Sequence, residues 1–190
     1  MFRNILLIVI LGTPLLTGCA AAVATGAVVG TDMATDRRTS GIYIEDNSIE
    51  LKAAQKLSDN EAINQSASIS VISFNRIVLL IGQAPTRELS DQATEIVRKI
   101  DNIRKIHNEI RIAAPSSFLT TTSDSWLTTK AKSLMLAEKD FSSGYIKVIS
   151  ENGEIFLMGM VTRAESDKAI AIVRNIDGAE RIIQVFEYIK

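Results

Sequence analysis

The sequence predicts an α+β fold made of two tandem copies of one small domain, each with the order (β)αββαβ and two helices on one face of a mixed sheet. The first observation is an internal repeat, because residues 69–106 match residues 146–183 with Gly82 and Gly159 in register. The second is an Asn-Gly dipeptide at 152–153 between two apolar runs, which is a strong hairpin signal. The third is the apolar helical spacing that follows each glycine. Since chance does not keep register through a turn, a strand and a helix, we interpret the chain as a duplication.

The elements of each copy follow from their residue patterns. A break at Asn102 or Gly178 predicts the end of the second helix, because Asn tolerates a positive φ better than other non-glycine residues. The first helix of each copy is expected at about 47–58 and 124–138, and the second helix begins after Thr86 and Thr162. The first strand is expected at 69–74 and 146–150, and its partner strand is the run IVLLIG or IFLMG. The last strand is expected at 106–112 and 182–189. The segments 41–44 and 117–120 are candidates for a leading strand in each copy.

Residues 1–18 have the features of a signal peptide. A basic Arg3 is followed by an apolar stretch and a small-residue cleavage site. A retained membrane helix is the less favoured alternative, because crossing a bilayer takes about 20 apolar residues. The tetrapeptide LTGC at 16–19 resembles the lipobox of bacterial lipoproteins. This resemblance implies that Cys19 carries acyl chains such as palmitate as the first residue of the mature chain. It also implies that Ala20 directs the protein to the outer membrane, facing the periplasm.

Residues 19–41 are interpreted as the lipidated N-terminus and a flexible tether. The segment is rich in small residues, contains glycine and has no helical or strand period. A flexible chain of about 22 residues spans on the order of 26 Å, which would keep the folded part near the membrane. Cys19 is the only cysteine, so no disulfide is expected within the chain. A free surface thiol is the less favoured alternative in an oxidising envelope.

The repeated pattern resembles the BON domain (bacterial OsmY and nodulation) across essentially all of residues 42–190. The match is carried by the glycine-ended strand (V/I)xLxG of each copy, by the alanine-bearing second helix and by the step GAERI at 178–182. The resemblance implies two BON domains, at 42–113 and 117–190. Together with the lipobox, they resemble the dual BON-domain outer-membrane lipoproteins associated with envelope stress and cell division. That family implies binding of anionic phospholipid, such as phosphatidylglycerol or cardiolipin, and not catalysis.

The residue pattern offers no active site, so we expect no enzyme, no cofactor and no metal. His107 is the only histidine and corresponds to Ile183 in the second copy, which favours a packing position over a catalytic base. The duplicated Arg–Asp pairs at 87/91 and 163/167 are interpreted as solvated i, i+4 ion pairs, with a ligand site as the less favoured alternative. A formal net charge of −1 provides no global basic field, so nucleic acid is not expected as a partner.

The first helix of the second copy carries the candidate binding surface. Helical projection separates a core stripe from an outward arc that combines the only tryptophan with lysines and hydroxyls and contains no acid. The equivalent helix of the first copy has no aromatic residue there and carries Glu50. The core stripes are Leu127, Ala131, Leu134 and Met135 in the second copy and Ile49, Ala53 and Leu57 in the first. The predicted lipid-binding residues are Trp126, Thr129, Lys130, Lys132, Ser133 and Leu136.

Trp126 allows two interpretations. Its ring can fold down against the sheet edge or the other domain, since tryptophan is usually mostly buried. It can also enter the lipid headgroup layer, which suits an apolar ring with one N–H donor, while each lysine adds on the order of 1 kcal/mol near an anionic surface. We expect the second. The alternative function is a protein-interaction adaptor for an outer-membrane assembly or envelope complex, which would dock on the sheet ends or on the same arc.

Overall fold

The computed structural model describes residues 36–114 and 118–190, which form two α+β domains, each with helices on one face of a mixed sheet, as the sequence predicts. Domain 1 (residues 36–114) contains α1 (Ser40–Ser58), α2 (Glu61–Ser66), β1 (Ser68–Phe74), β2 (Ile77–Ala84), α3 (Arg87–Arg98), β3 (Lys105–Asn108) and β4 (Arg111–Ile112). Domain 2 (residues 118–190) contains α4 (Phe118–Ala137), a 3₁₀ turn (Ser143–Tyr145), β5 (Ile146–Glu151), β6 (Glu154–Val161), α5 (Arg163–Val173) and β7 (Arg181–Tyr188).

Each sheet is an antiparallel hairpin whose second strand pairs with the chain that returns after the following helix. β1 and β2 are antiparallel, and β2 pairs in parallel with β3 and β4. In domain 2, β5 and β6 are antiparallel and β6 pairs in parallel with β7. The predicted last strand at 106–112 is wrong in one respect, because it divides into β3 and β4. The side-chain oxygen of Asn108 accepts the N–H of Ile110 at 3.0 Å, which interrupts the ladder between them.

The predicted leading strands at 41–44 and 117–120 are wrong. Residues 41–44 lie in the first turns of α1, which begins at Ser40 behind an N-cap in which the Thr39 hydroxyl accepts the N–H of Ile42 at 3.3 Å. The described part of 117–120 is likewise the first turn of α4. A run of two or three apolar residues does not distinguish a strand from a helix end, and here both segments belong to the first turns of a helix.

The predicted tether at 19–41 ends earlier than expected. The side chain of Arg38 is 8% exposed, and its guanidinium donates to Asp46 at 2.8 Å and lies 4.0 Å from the centroid of the Phe74 ring. Residues 36–41 therefore belong to the folded part. The composition of the segment does not reveal this, because it does not show which carboxylates the two arginines of DRR bind. The predicted signal peptide, Cys19 and Ala20 lie outside the described residues.

Each domain has its own core between its helices and one face of its sheet. The predicted stripe of α1 is buried, and so are Leu127, Ala131 and Met135 of α4, while Leu134 is half-buried against the same core. Along β2, Val78 and Leu80 point into the helix-side core of domain 1. The helical periodicity of the sequence therefore identified the inward face of both long helices correctly.

The two sheets pack against each other through their remaining faces. Leu79 and Ile81, which alternate with the helix-facing residues of β2, belong to a third buried cluster that both domains share. Its buried members are Ile72, Phe74, Leu79, Ile81, Phe156, Met158 and Val185. The described part of the chain is therefore a stack of four layers, helix–sheet–sheet–helix. In this stack the outward faces of α1 and α4 lie on opposite sides.

Ion pairs at the rim of this interface connect domain 1 to domain 2. Arg104 of domain 1 contacts Glu187 at 2.9 Å, and Arg111 contacts Glu180 at 3.4 Å. In the repeat, position 104 corresponds to 180 and position 111 to 187, so the two contacts are equivalent under an approximate twofold. The hydrogen bond from Arg104 lowers the pKa of Glu187. Two copies of domain 1 in the same arrangement would oppose arginine to arginine, so these charges favour pairing between unlike domains.

Gly82 and Gly159, which are in register in the repeat, lie where two backbone segments come very close. A Cβ added at Gly82 would lie 2.0 Å from the carbonyl oxygen of Ser68, and one at Gly159 would lie 2.4 Å from that of Tyr145. Only glycine fits where the backbones come this close. The predicted equivalence of Asn102 and Gly178 is confirmed, because their φ angles are 68° and 86°.

Truncation of a residue in the shared cluster tests the sheet-to-sheet packing. Phe156 is 1% exposed, so Phe156→Ala removes buried contacts and leaves a cavity, which we expect to lower the free energy of unfolding by roughly 3–5 kcal/mol in urea denaturation. Leu136→Ala is the control, because Leu136 is 77% exposed and its loss should change stability by less than about 0.5 kcal/mol. Equal effects of the two substitutions would contradict the shared cluster.

Candidate functional site

A buried aspartate fixes α4 on the hairpin of its own domain. Asp124 accepts the backbone N–H groups of Asn152 and Gly153, each at 2.8 Å. These two residues have φ angles of 50° and 74°, as a tight hairpin turn requires. Because the carboxylate occupies the turn from the helix side, it sets the rotation of α4 and therefore which of its residues face outward.

Domain 1 contains the same arrangement. Asp46 accepts the N–H groups of Asn75 and Arg76 at 2.8 and 2.7 Å. Sequence reasoning missed these aspartates as positioning residues. A signal was present, because Asp46 and Asp124 each stand three positions before the first core residue of their helix, at the same place in the repeat.

All six residues predicted to bind lipid lie exposed on α4. Trp126 is 52% exposed and Leu136 is 77% exposed, which are unusually open positions for large apolar side chains. The interpretation in which Trp126 folds down against the sheet or the other domain is therefore wrong. We call the surface formed by Trp126, Thr129, Lys130, Lys132, Ser133 and Leu136 the α4 face.

The α4 face is cationic and lacks an internal counter-charge. Within the described residues, neither Lys130 nor Lys132 takes part in an ion pair. The one acid of α4 is Asp124, which is 6% exposed and engaged with the hairpin turn. Both ammonium groups are thus available to an anion from outside.

One of the two hydroxyls of the α4 face, that of Thr129, is satisfied within the helix. Thr129 Oγ1 donates to the carbonyl oxygen of Ser125 at 2.9 Å, and Ser125 Oγ donates in turn to that of Thr121 at 2.9 Å. Threonine and serine commonly bond back one turn in this way. Such groups tolerate partial desolvation, because their donors already have partners.

The equivalent surface of α1 differs from the α4 face in charge and in aromatic content. Ser48 stands at the place of Trp126 and Lys52 at that of Lys130, while Ile44 and Leu51 are 67% and 73% exposed. The expectation that Glu50 interrupts this outward arc is wrong, since its carboxylate turns inward. It accepts the N–H of Ser73 at 2.7 Å and the ammonium of Lys147 at 2.9 Å.

The described residues show no arrangement suited to catalysis at the one histidine. His107 lies half-buried on β3, where burial, followed by the charge of Lys105, lowers its pKa. Among residues 36–114 and 118–190 there is no group of three metal-ligating side chains. None of the helices in those ranges is long and apolar enough to cross a membrane.

Comparison with known proteins gives a consistent assignment. The family model of the BON domain matches residues 45–114 and 123–190. The chain is 38% identical to the outer membrane lipoprotein DolP of Haemophilus influenzae over 184 residues, which cover 96% of this chain and 95% of that protein. It is 36% identical to the 21 kDa hemolysin of Actinobacillus pleuropneumoniae over 155 residues, 82% of this chain and 80% of that one. It is 25% identical to the osmotically-inducible protein Y of Escherichia coli over 184 residues, 93% and 91% of the two chains.

The chain therefore belongs to the BON-domain family and, within it, to the outer-membrane lipoproteins. The predicted location at the outer membrane is confirmed by the similarity over nearly the full length of both chains. Membership of this group supports a role in the integrity of the cell envelope.

The exposure of Trp126 predicts the fluorescence of the free protein. Because it is the only tryptophan and half of its surface is open, emission in buffer should lie at long wavelength and be quenched readily by acrylamide. Unfolding in urea should then change the emission wavelength only slightly. A short-wavelength emission that acrylamide does not quench would show that the indole is buried and would contradict the α4 face.

Removal of Asp124 tests how α4 is held on the hairpin of its domain. Asp124→Ala leaves two turn N–H groups without their charged acceptor, so we expect the free energy of unfolding to fall by roughly 2–4 kcal/mol. Asp167→Ala, which removes an exposed aspartate of α5, is the control and should be nearly neutral. Similar denaturation midpoints for the two variants would exclude the positioning role of Asp124.

Proposed function

We propose that this lipoprotein is anchored in the outer membrane through acylated Cys19 and binds anionic phospholipid through the α4 face. The observation that carries the proposal is the half-exposed Trp126 beside two lysines without ion-pair partners among the described residues. An indole favours the headgroup layer because its ring is apolar and its N–H still needs a partner. Lysine stems can lie along the acyl boundary while their ammonium groups reach phosphates.

The contact is weak by itself, and this weakness defines its role. Two lysines near an anionic surface supply on the order of 2 kcal/mol, which does not hold a protein on a membrane. Two or more acyl chains on Cys19 anchor it firmly. Tethering raises the effective concentration of the α4 face to the mM range, so a weak lipid preference becomes occupancy. The α4 face therefore decides where on the membrane the protein gathers, favouring patches rich in phosphatidylglycerol or cardiolipin.

The proposed biological role is support of envelope integrity from the periplasmic side of the outer membrane, at division sites. The lipid contact is argued from the α4 face, whereas the division site rests on the family resemblance. Neither requires a catalytic group, so we propose a binding protein and not an enzyme.

A second candidate function is an adaptor for an outer-membrane assembly or envelope complex. The observation that favours it is the pair Ile44 and Leu51, which are 67% and 73% exposed on α1. This surface lies on the opposite side of the four-layer stack from the α4 face and carries Lys52 at the position of Lys130, with Lys56 one turn further along, but it has no tryptophan. A face with two exposed aliphatic side chains and no indole suits a protein surface better than the lipid headgroup layer.

The lipid proposal predicts loss of vesicle binding when the α4 face is altered. For the unlipidated chain of residues 20–190, Trp126→Ala or the pair Lys130→Glu and Lys132→Glu should abolish flotation with vesicles containing phosphatidylglycerol. The reason is loss of the interfacial ring in one case and reversal of the charge that attracts the headgroups in the other. Wild-type protein should not float with purely zwitterionic vesicles.

The repeat supplies a matched control for this experiment. Lys52→Glu reverses the charge at the position of α1 that corresponds to Lys130, and it should leave vesicle binding unchanged. Unchanged flotation of the α4 variants would overturn the lipid proposal, as would equal binding of wild type to zwitterionic vesicles. Absence of vesicle binding together with capture of an envelope protein through Ile44 and Leu51 would favour the adaptor.

A further inference from the structure

Arg76 stands at a turn position that is suited to glycine. It follows Asn75 in the hairpin between β1 and β2, and the two residues have φ angles of 63° and 50°. Domain 2 has Asn152 and Gly153 at the equivalent turn, and glycine adopts a positive φ without steric strain. A side chain as large as arginine is strained in this conformation. The strain therefore needs a reason that the turn itself does not supply.

The contacts of Arg76 within the fold do not supply that reason. Its N–H donates to Asp46 at 2.7 Å, but Gly153 donates to Asp124 in the same way at 2.8 Å, so this bond does not require an arginine. The Nε atom of Arg76 is buried and has no hydrogen-bond partner among the described residues. Because a buried donor without a partner destabilises a fold, glycine would be the more stabilising residue here.

The two terminal nitrogens of Arg76 are open to solvent. They take part in no ion pair or other hydrogen bond of the described residues, and they are not among the buried nitrogens that lack a partner. The guanidinium is thus enclosed at its base and free at its tip. Two parallel N–H donors held in this way match the two oxygens of a carboxylate.

The surroundings of Arg76 are cationic. Arg104 donates its N–H to the carbonyl oxygen of Arg76 at 2.8 Å, and the exposed Lys105 follows it at the start of β3. Glu187 of domain 2 is an acid beside them, since the hydrogen bond from Arg104 lowers its pKa and the charge of Arg76 lowers it further. Its oxygens are already bound by Arg104 at 2.9 and 3.0 Å and by Asn75 Nδ2 at 2.6 Å. In the part of the chain that the structure describes, Arg76 and Lys105 therefore have no carboxylate of their own.

We propose that Arg76, flanked by Arg104 and Lys105, binds an acidic segment of a partner protein, whose carboxylates occupy the open fork of Arg76. Charge complementarity is the argument for this occupant. Glu187 shows the same chemistry, because it is a carboxylate of another domain held by the forked guanidinium of Arg104. A membrane is a poorer fit, since the site has no tryptophan to enter the headgroup layer. The site shares no residue with the α4 face, so the inference is independent of the lipid contact.

The affinity of such a site comes from several weak contacts. A single exposed ion pair contributes little and is screened by salt, so one acidic residue would not hold a partner. A run of acidic residues can engage Arg76 and Lys105 together, and the enclosed base of Arg76 reduces the freedom that is lost on binding. Complementary charges of this kind speed association and select the partner. The strained turn thus serves recognition, although it lowers stability.

The test uses the full-length protein in a neutral detergent and a dye-labelled tetraglutamate peptide with blocked ends, followed by fluorescence anisotropy at low salt. Arg76→Gly should weaken peptide binding roughly tenfold, because it removes charged hydrogen bonds. The same substitution should leave the melting temperature unchanged or raise it by up to about 4 °C, because glycine relieves the turn. Arg98→Ala is the matched control. Arg98 is an exposed arginine of α3 in the same domain, so the net charge changes equally and the affinity should stay within about twofold.

Each other result would contradict the proposal. Equal affinities of wild type and Arg76→Gly, or no binding of the peptide to wild type, would overturn the site. A lower melting temperature of Arg76→Gly would show that Arg76 supports the fold and would remove the argument from strain. Weaker peptide binding by Trp126→Ala would place the peptide on the α4 face. A loss of binding to phosphatidylglycerol vesicles by Arg76→Gly, with peptide binding unchanged, would make Arg76 a lipid contact instead.

Discussion

The packing of the two sheets on each other is the constraint on which the rest of the structure depends. Each BON domain covers one face of its sheet with its own helices, and the other face carries residues as apolar as a core, such as Leu79 and Phe156. Neither face could stay in water without exposing a large apolar patch. Because the faces cover each other, both helix layers point outward and away from one another. The arrangement thus turns two small domains into one body with two chemically different surfaces.

The duplication explains how one surface could specialise. Both domains have the buried aspartate, the glycine at the close approach of the hairpin strands and the helical core stripe, because each domain must fold. The outward residues of α1 and α4 are free of that requirement and have diverged. At the equivalent position one helix has Ser48 and the other Trp126. The rim charges diverged as well, since Arg104 and Arg111 of domain 1 pair with Glu187 and Glu180 of domain 2.

Much of this could be predicted from sequence, and the failures have physical causes. Periodicity identified the buried stripe and the outward arc, since a helix on a sheet must bury one side. It did not locate the first turns of α1 and α4, because short apolar runs suit a strand or a helix end. The sheet-to-sheet contact was missed because the apolar residues on the second face of β2, Leu79 and Ile81, look the same in the sequence whether a second sheet or a ligand covers them. The contact between Arg37 and Glu165 could not be predicted, because the two residues lie 128 positions apart and no local pattern links them.

The most direct test of the account is to move the single tryptophan between the two helix layers. The wild-type chain has its indole at position 126, and the double variant Trp126→Phe, Ser48→Trp places it at the equivalent position of α1. With vesicles containing phosphatidylglycerol, the account predicts a blue shift of the emission for wild type and none for the double variant. A blue shift of equal size in both proteins, or one in the double variant alone, would contradict the claim that the α4 face is the surface that meets the membrane.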